Sequence, residues 1–219
     1  VERAIVLEDD CVANKDFFSF CDTLLELYAE NENISVITGN NFQNDQWRGD
    51  ASYYFSKYNH CWGWATWRRA WRYYQGRIPF WPEWRNSDTW LKQTPDKVER
   101  HFWELIFERV HKEQIDSWAY PWVASTWYHG GLTVTPNMNL VSNIGFDEVS
   151  THTSKKNSKF SKMPTRKLGV LKHPKIIHRN LEADLWTFDY HFGGKYHRFP
   201  YSLIRFTWRI IKYIYFKLK

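Results

Sequence analysis

Three consecutive carboxylates, Glu8-Asp9-Asp10, follow directly on the apolar run Ala4-Ile5-Val6-Leu7. Such a run reads as a buried core strand. Like charges crowded at its end repel one another and lose hydration, so folding alone gains nothing from placing them there. A divalent cation removes the conflict, and hard oxygen ligands at a strand's carboxyl end suit a magnesium- or manganese-type ion. Open α/β sheets also bind ligands at that edge. The implied chemistry is a metal that neutralises the phosphates of a bound nucleotide. The alternative needs no ligand: a polar strand end runs into a helix whose macrodipole favours acidic residues.

The elements that must position this triplet follow from pattern. Asn14 is a plausible N-cap for a helix through about Glu30, with Phe17, Phe20, Cys21, Leu24, Leu25 and Tyr28 on one face. Ile34–Thr38 reads as a second buried strand, ending in the turn-forming Gly39-Asn40-Asn41, and Ser52–Phe55 as a short third strand. Residues 59–64 read as a Gly/Trp loop, after which Thr66 caps a helix carrying Trp67, Ala70, Trp71 and Tyr74. Residues 76–88 read as loop. Thr94-Pro95 reads as cap and first residue of a helix with Val98, Phe102, Leu105, Ile106 and Val110 as its stripe. Asp116-Ser117 precedes a helix over about Trp118–Tyr128, stopped by Gly130-Gly131, and Leu132–Thr135 is a strand ended by Pro136. Residues 137–153 read as an ordered functional loop.

The 219 residues suffice for one large domain with a real core. A chain whose first residues already form a core strand leads to the expectation that a longer protein's amino-terminal part precedes Val1. Net charge is +6, but residues 1–153 carry −7 and residues 154–219 carry +13. The expected organisation is an acidic body over 1–153, a basic and partly flexible extension over 154–199, and an amphipathic basic helix over 200–219. In that helix Arg205, Arg209 and Lys212 form a stripe apart from Ile204, Trp208, Ile211, Tyr215 and Leu218. The pattern suits peripheral contact with a membrane interface and equally a helix docked on the body. Three cysteines without CxxC spacing give no zinc site and fit a reducing compartment. The expected location is cytoplasmic, with peripheral contact at the inner face of the membrane. Twelve of 14 Trp fall between Trp47 and Trp127. Most are expected in the core, with one or two lining a pocket.

The order of strand, acidic triplet, helix, strand, Asn-rich turn, Gly/Trp segment and lone Asp before a helix resembles the second half of a GT-A glycosyltransferase. Glu8-Asp9-Asp10 stands where that family carries its DxD or EDD metal motif. Cys11-Val12-Ala13-Asn14-Lys15-Asp16-Phe17-Phe18 is similar to the same region of the N-acetylglucosaminyltransferases that begin N-glycan branching. Asn143-Ile144-Gly145 through Thr151-His152-Thr153 resembles bacterial nucleotide-diphospho-sugar transferases. The resemblance covers roughly residues 4–153 and implies that the body over 1–153 is the catalytic part. It implies an α/β GT-A fold, a Rossmann-like mixed sheet flanked by helices. It also implies a nucleotide-diphosphate sugar donor, a glycan or lipid-linked acceptor, and Mn2+ or Mg2+. Gly39-Asn40-Asn41 falls at the family's next active-site loop, Trp62-Gly63-Trp64 at its donor and acceptor loop, Asp116-Ser117-Trp118 at its catalytic carboxylate, and His152 at its carboxyl-terminal metal ligand.

On this reading Asp10 is the direct metal ligand, Asp9 reaches ribose or sugar hydroxyls, and Glu8 orients the site or is a surface charge. His152 completes the metal shell as a neutral imidazole or is structural. His60 is taken as structural. Inverting transfer needs one base on the acceptor hydroxyl. Asp116 is the candidate, or it caps the helix that follows. Glu104 and Glu108 are weaker alternatives as base, because they lie on the mainly polar side of a long helix, where solvation is expected. Trp62, Trp64 and Trp118 pack against sugar or acceptor, or belong to the core, and Gly63 allows close backbone approach. Two competing classes remain: a non-catalytic carbohydrate-binding module rich in Trp, and a nucleic-acid binder using the basic tail. An acidic body without a nucleic-acid motif counts against the latter.

Overall fold

The structure, a computed structural model, describes residues 1–145, 159–204 and 207. Strands β1 (Arg3–Leu7), β3 (Ile34–Thr38), β4 (Tyr53–Ser56), β5 (Gly63–Trp67) and β6 (Leu132–Pro136) form one sheet in the order β1-β5-β3-β6-β4. The β3–β6 pair is parallel and the others are antiparallel, so the sheet is mixed. Two short strands, β2 (Cys11–Ala13) and β7 (Val141–Asn143), pair separately. Helices α1 (Lys15–Leu27), α2 (Arg68–Trp71), α3 (Trp81–Trp84), α4 (Asp88–Gln93), α5 (Lys97–His111), α6 (Ala119–Tyr128) and α7 (Leu181–Tyr190) flank the sheets. The molecule is thus a mixed α/β protein.

Helix α1 forms as its sequence pattern requires. The Asn14 side chain accepts from the Asp16 N–H at 3.0 Å, and Phe17, Phe20, Cys21, Leu24 and Leu25 are buried against one sheet face. On the other face Val36, Trp64, Ala70 and Trp122 pack together. A second core, mainly aromatic, gathers Trp81, Trp84, Trp90, Trp103, Phe107 and Trp127 from α3 to α6. The segment around α7 packs onto this body: Ala183 and Phe188 of α7 are fully buried, and Arg198 bridges Asp96 and Asp189.

Several expectations are corrected. β1 is an edge strand rather than a core one: among the described residues only β5 pairs with it, and Ile5 and Leu7 are 37 % and 36 % exposed. Residues 63–67 are not loop and helix start but the sheet's second strand, and Thr66 donates its hydroxyl to the Ser35 carbonyl rather than capping α2. β-branched and aromatic side chains that satisfy a helical period also suit a buried strand. Thr94 ends α4, its hydroxyl donating to the Trp90 carbonyl, while Asp96 caps α5. Asp116 does not cap α6. Trp118 holds the cap position, and the Ser117 hydroxyl accepts from the Ala119 N–H. The loop expected over 76–88 contains α3, and that over 137–153 contains β7. Most of the carboxyl-terminal helix expected over 200–219 lies outside the described residues. Among those described, no helix is long and apolar enough to cross a membrane.

Candidate metal centre

β1 delivers Glu8 to the carboxyl end of the sheet, where the Glu8 N–H donates to the Trp62 carbonyl at 3.1 Å. The chain then reverses, with the Cys11 N–H donating to the Glu8 carbonyl at 3.1 Å. This turn brings ligand atoms of Glu8, Asp10 and Cys11 within 4.8 Å of one another. All three side chains are half-buried, whereas Asp9 is exposed.

The cluster is held from across the molecule. Antiparallel pairing of β2 with β7 sets Cys11 opposite Asn143. The Asn143 amide donates to Asp10 Oδ1 at 3.0 Å and to Cys11 Sγ at 3.6 Å, and its own carbonyl accepts from the Gly145 N–H at 2.8 Å. The Ile144 N–H donates to the Asp10 carbonyl at 2.8 Å. A Cβ on Gly145 would lie 2.0 Å from Asp10 Oδ2, so the backbone approaches that carboxylate as only glycine permits. Burial, then the hydrogen bond to Asp10, pushes the Cys11 thiol up, and the protonated sulfur donates to Asp10 Oδ1 at 3.4 Å. Burial and the nearby Glu8 carboxylate push Cys61 up to about 12.

The donor set fits a hard cation. Two carboxylates at one turn are the usual protein share for Mg2+, which otherwise keeps water or takes substrate phosphates. The protonated thiol is the weaker candidate ligand. His152, the third expected ligand, lies outside the described residues, as do Thr151 and Thr153.

The remaining candidates are brought near in different ways. Trp118 stacks on Trp64 at 5.5 Å, and both line a groove of about 810 Å³ that reaches Glu8. Trp64 is buried and Trp118 is 37 % exposed. Trp62 turns to the opposite side, edge-on to Phe42 at 5.3 Å. The close approach at Gly63 is made by Val141 and Leu7: an added Cβ would meet them at 2.7 and 3.0 Å. Asp116 is exposed in the segment before α6, two residues from Trp118. The Asn40-Asn41 turn braces the β6–β7 connection, donating to the Val141 and Pro136 carbonyls. Glu104 and Glu108 are satisfied within the aromatic core's rim, accepting from the indoles of Trp90 and Trp81. His60 packs against Phe42 and His191, and burial pushes it down to about 3, so it is neutral and structural.

Sequence reasoning did not single out Asn143 or Cys11 as parts of the cluster. Cys11 adjoins the triplet and carries its own signal. Asn143 opens the stretch that resembles the nucleotide-diphospho-sugar transferases, but no residue pattern ties it to Asp10; the pairing of two three-residue strands brings it there. The chain matches no protein-family model and no curated protein sequence.

Proposed function

We propose that this chain carries the metal- and acceptor-binding part of a GT-A-type glycosyltransferase, which moves a sugar from a nucleotide-diphosphate donor to a glycan or lipid-linked acceptor. The observation that supports this most is the convergence of Glu8, Asp10 and Cys11 at a strand's carboxyl end, braced by Asn143. A cation held by Glu8 and Asp10 would neutralise charge developing on a diphosphate leaving group. Asp9, exposed beside them, is assigned to donor hydroxyls. Asp116 is assigned as the base that takes the acceptor hydroxyl proton in an inverting reaction, and Trp118 and Trp64 as the wall against which the acceptor rests.

The test is manganese-dependent binding and hydrolysis of a panel of nucleotide sugars, with Asp10→Asn alongside. At least one donor is expected to bind in a manganese-dependent way, with Asp10→Asn weakening this at least tenfold. If no donor binds or is hydrolysed and Asp10→Asn changes nothing, the reading is lost.

A second reading, sugar binding without transfer, is favoured by the Trp71–Tyr74 stack at 4.7 Å and 4° facing the same groove. Glycan binding that survives both EDTA and Asp10→Asn, without donor turnover, would establish it instead.

A further inference from the structure

Tyr196, Phe199, Tyr201, Leu203 and Ile204 fall within nine residues of one another and all face solvent. Phe199 is 78 % exposed, and the other four are about half exposed. They form one patch. The Tyr196 and Tyr201 rings meet edge-on at 6.0 Å, and the Leu203 N–H donates to the Pro200 carbonyl at 3.1 Å, which closes a turn between Phe199 and Ile204. The base beneath is firm. Gly194 packs so closely on Phe188 of α7 that a Cβ there would clash. Arg198 holds Asp96, at the start of α5, and Asp189, in α7, at 2.9 Å each. Large apolar side chains grouped in solvent on a fixed base mark a binding surface, because folding gains nothing from leaving them there.

Charge says what covers it. Asp96 and Asp189 are both answered by Arg198, so neither presents a free carboxylate. Lys195 is exposed and lies over the Tyr196 ring at 4.9 Å. After Asp189 the sequence holds no Asp or Glu but seven Lys and Arg, interleaved with aromatic residues. Residues 1–153 carry −7, so an anionic surface is repelled by the body and attracted at this end. We propose that Tyr196, Phe199, Tyr201, Leu203 and Ile204 enter the headgroup region of an anionic lipid bilayer. Phe199 and Leu203 reach the acyl boundary, while the two Tyr rings sit at headgroup depth with their hydroxyls in water. Lys195 lays its stem along Tyr196 and gives its ammonium to lipid phosphate. A nucleic acid would meet apolar rings where its phosphates need cations. A second copy of this chain would bring the same positive charge against itself across a two-fold axis. This proposal is independent of the transferase reading.

The intact chain is sedimented with phosphatidylcholine vesicles, with and without phosphatidylglycerol. It is expected to bind the vesicles that hold phosphatidylglycerol at least tenfold more tightly. Phe199→Ser combined with Leu203→Ser is expected to weaken that binding at least tenfold while leaving the urea midpoint in place. Phe199→Ser alone is expected to weaken it several-fold and keeps the comparison should the double variant not fold. Phe199→Trp, which keeps a ring suited to the headgroup region, is expected to preserve binding. Lys195→Glu is expected to weaken binding to the anionic vesicles only. Absence of binding to the anionic vesicles overturns the proposal. So does binding that the folded Ser variants leave unchanged, or a dimer of the vesicle-free chain that those variants abolish.

Discussion

At the scale of single residues, the site depends on how closely Gly145 and Asn143 approach Asp10. Gly145→Ala places a methyl where Asp10 Oδ2 now lies, 2.0 Å from the ideal Cβ, so carboxylate or backbone must shift. Manganese affinity measured by calorimetry is expected to fall at least tenfold, with the thermal midpoint changing little. Asn143→Ala removes the amide that steadies Asp10 Oδ1 and is expected to weaken metal binding in the same direction. The acidic triplet itself was legible, because three adjacent carboxylates after an apolar run are an electrostatic anomaly in any fold. Its partner was not, because Asn143 reaches Asp10 across 133 residues of sequence through a pairing no local pattern encodes.

At the scale of elements, helix ends decide what can be read. Thr94-Pro95 satisfies the rules for a helix start, yet Asp96 makes the capping bond, accepting from the Glu99 N–H at 2.8 Å. Both assignments obey the same physics, and a neighbouring helix that claims Thr94 decides between them. Asp96 also pairs with Arg198, tying α5 to the segment after α7. Asp96→Ala is expected to lower unfolding free energy in urea by about 1–2 kcal/mol, the usual cost of losing a cap. Thr94→Ala, which removes no such cap, is expected to cost less. The strand over residues 63–67 was missed for a related reason. Its Trp, Ala and Thr residues fit helical and extended periods alike, and only its place between β1 and β3 settles the matter.

At the scale of the whole molecule, the chain buries unusual polarity among its aromatic rings. Lys57 is fully buried, paired with Glu99 at 2.9 Å, and burial pushes its ammonium down to about 8. Glu99 also accepts from Tyr58, so Glu99→Ala leaves a buried cation unmatched. The expected loss is about 3–5 kcal/mol in urea unfolding. Composition disclosed an aromatic core but not this pair, since a lone Lys in sequence carries no sign of its burial. Two half-buried imidazoles bear on the acid side of stability. His60 is pushed down to about 3 from its ordinary 6.5, and His191 well below its ordinary value, chiefly by burial. Between pH 6.5 and 3 the unfolded chain takes up a proton at position 60 that the folded chain refuses. The stability due to a neutral His60 is therefore full above pH 6.5 and is lost as pH falls toward 3. His60→Phe is expected to flatten the fall by up to about 1.4 kcal/mol per pH unit in that window, read from urea midpoints at several pH values.

The measurement that bears most directly on the acidic cluster is a manganese titration of the intact chain followed by electron paramagnetic resonance, with and without a nucleoside diphosphate. One ion is expected to bind per chain, more tightly when the diphosphate is present, and Asp10→Asn is expected to abolish both effects. Equal manganese binding by the two proteins, untouched by the diphosphate, would contradict a metal–pyrophosphate site at Glu8 and Asp10.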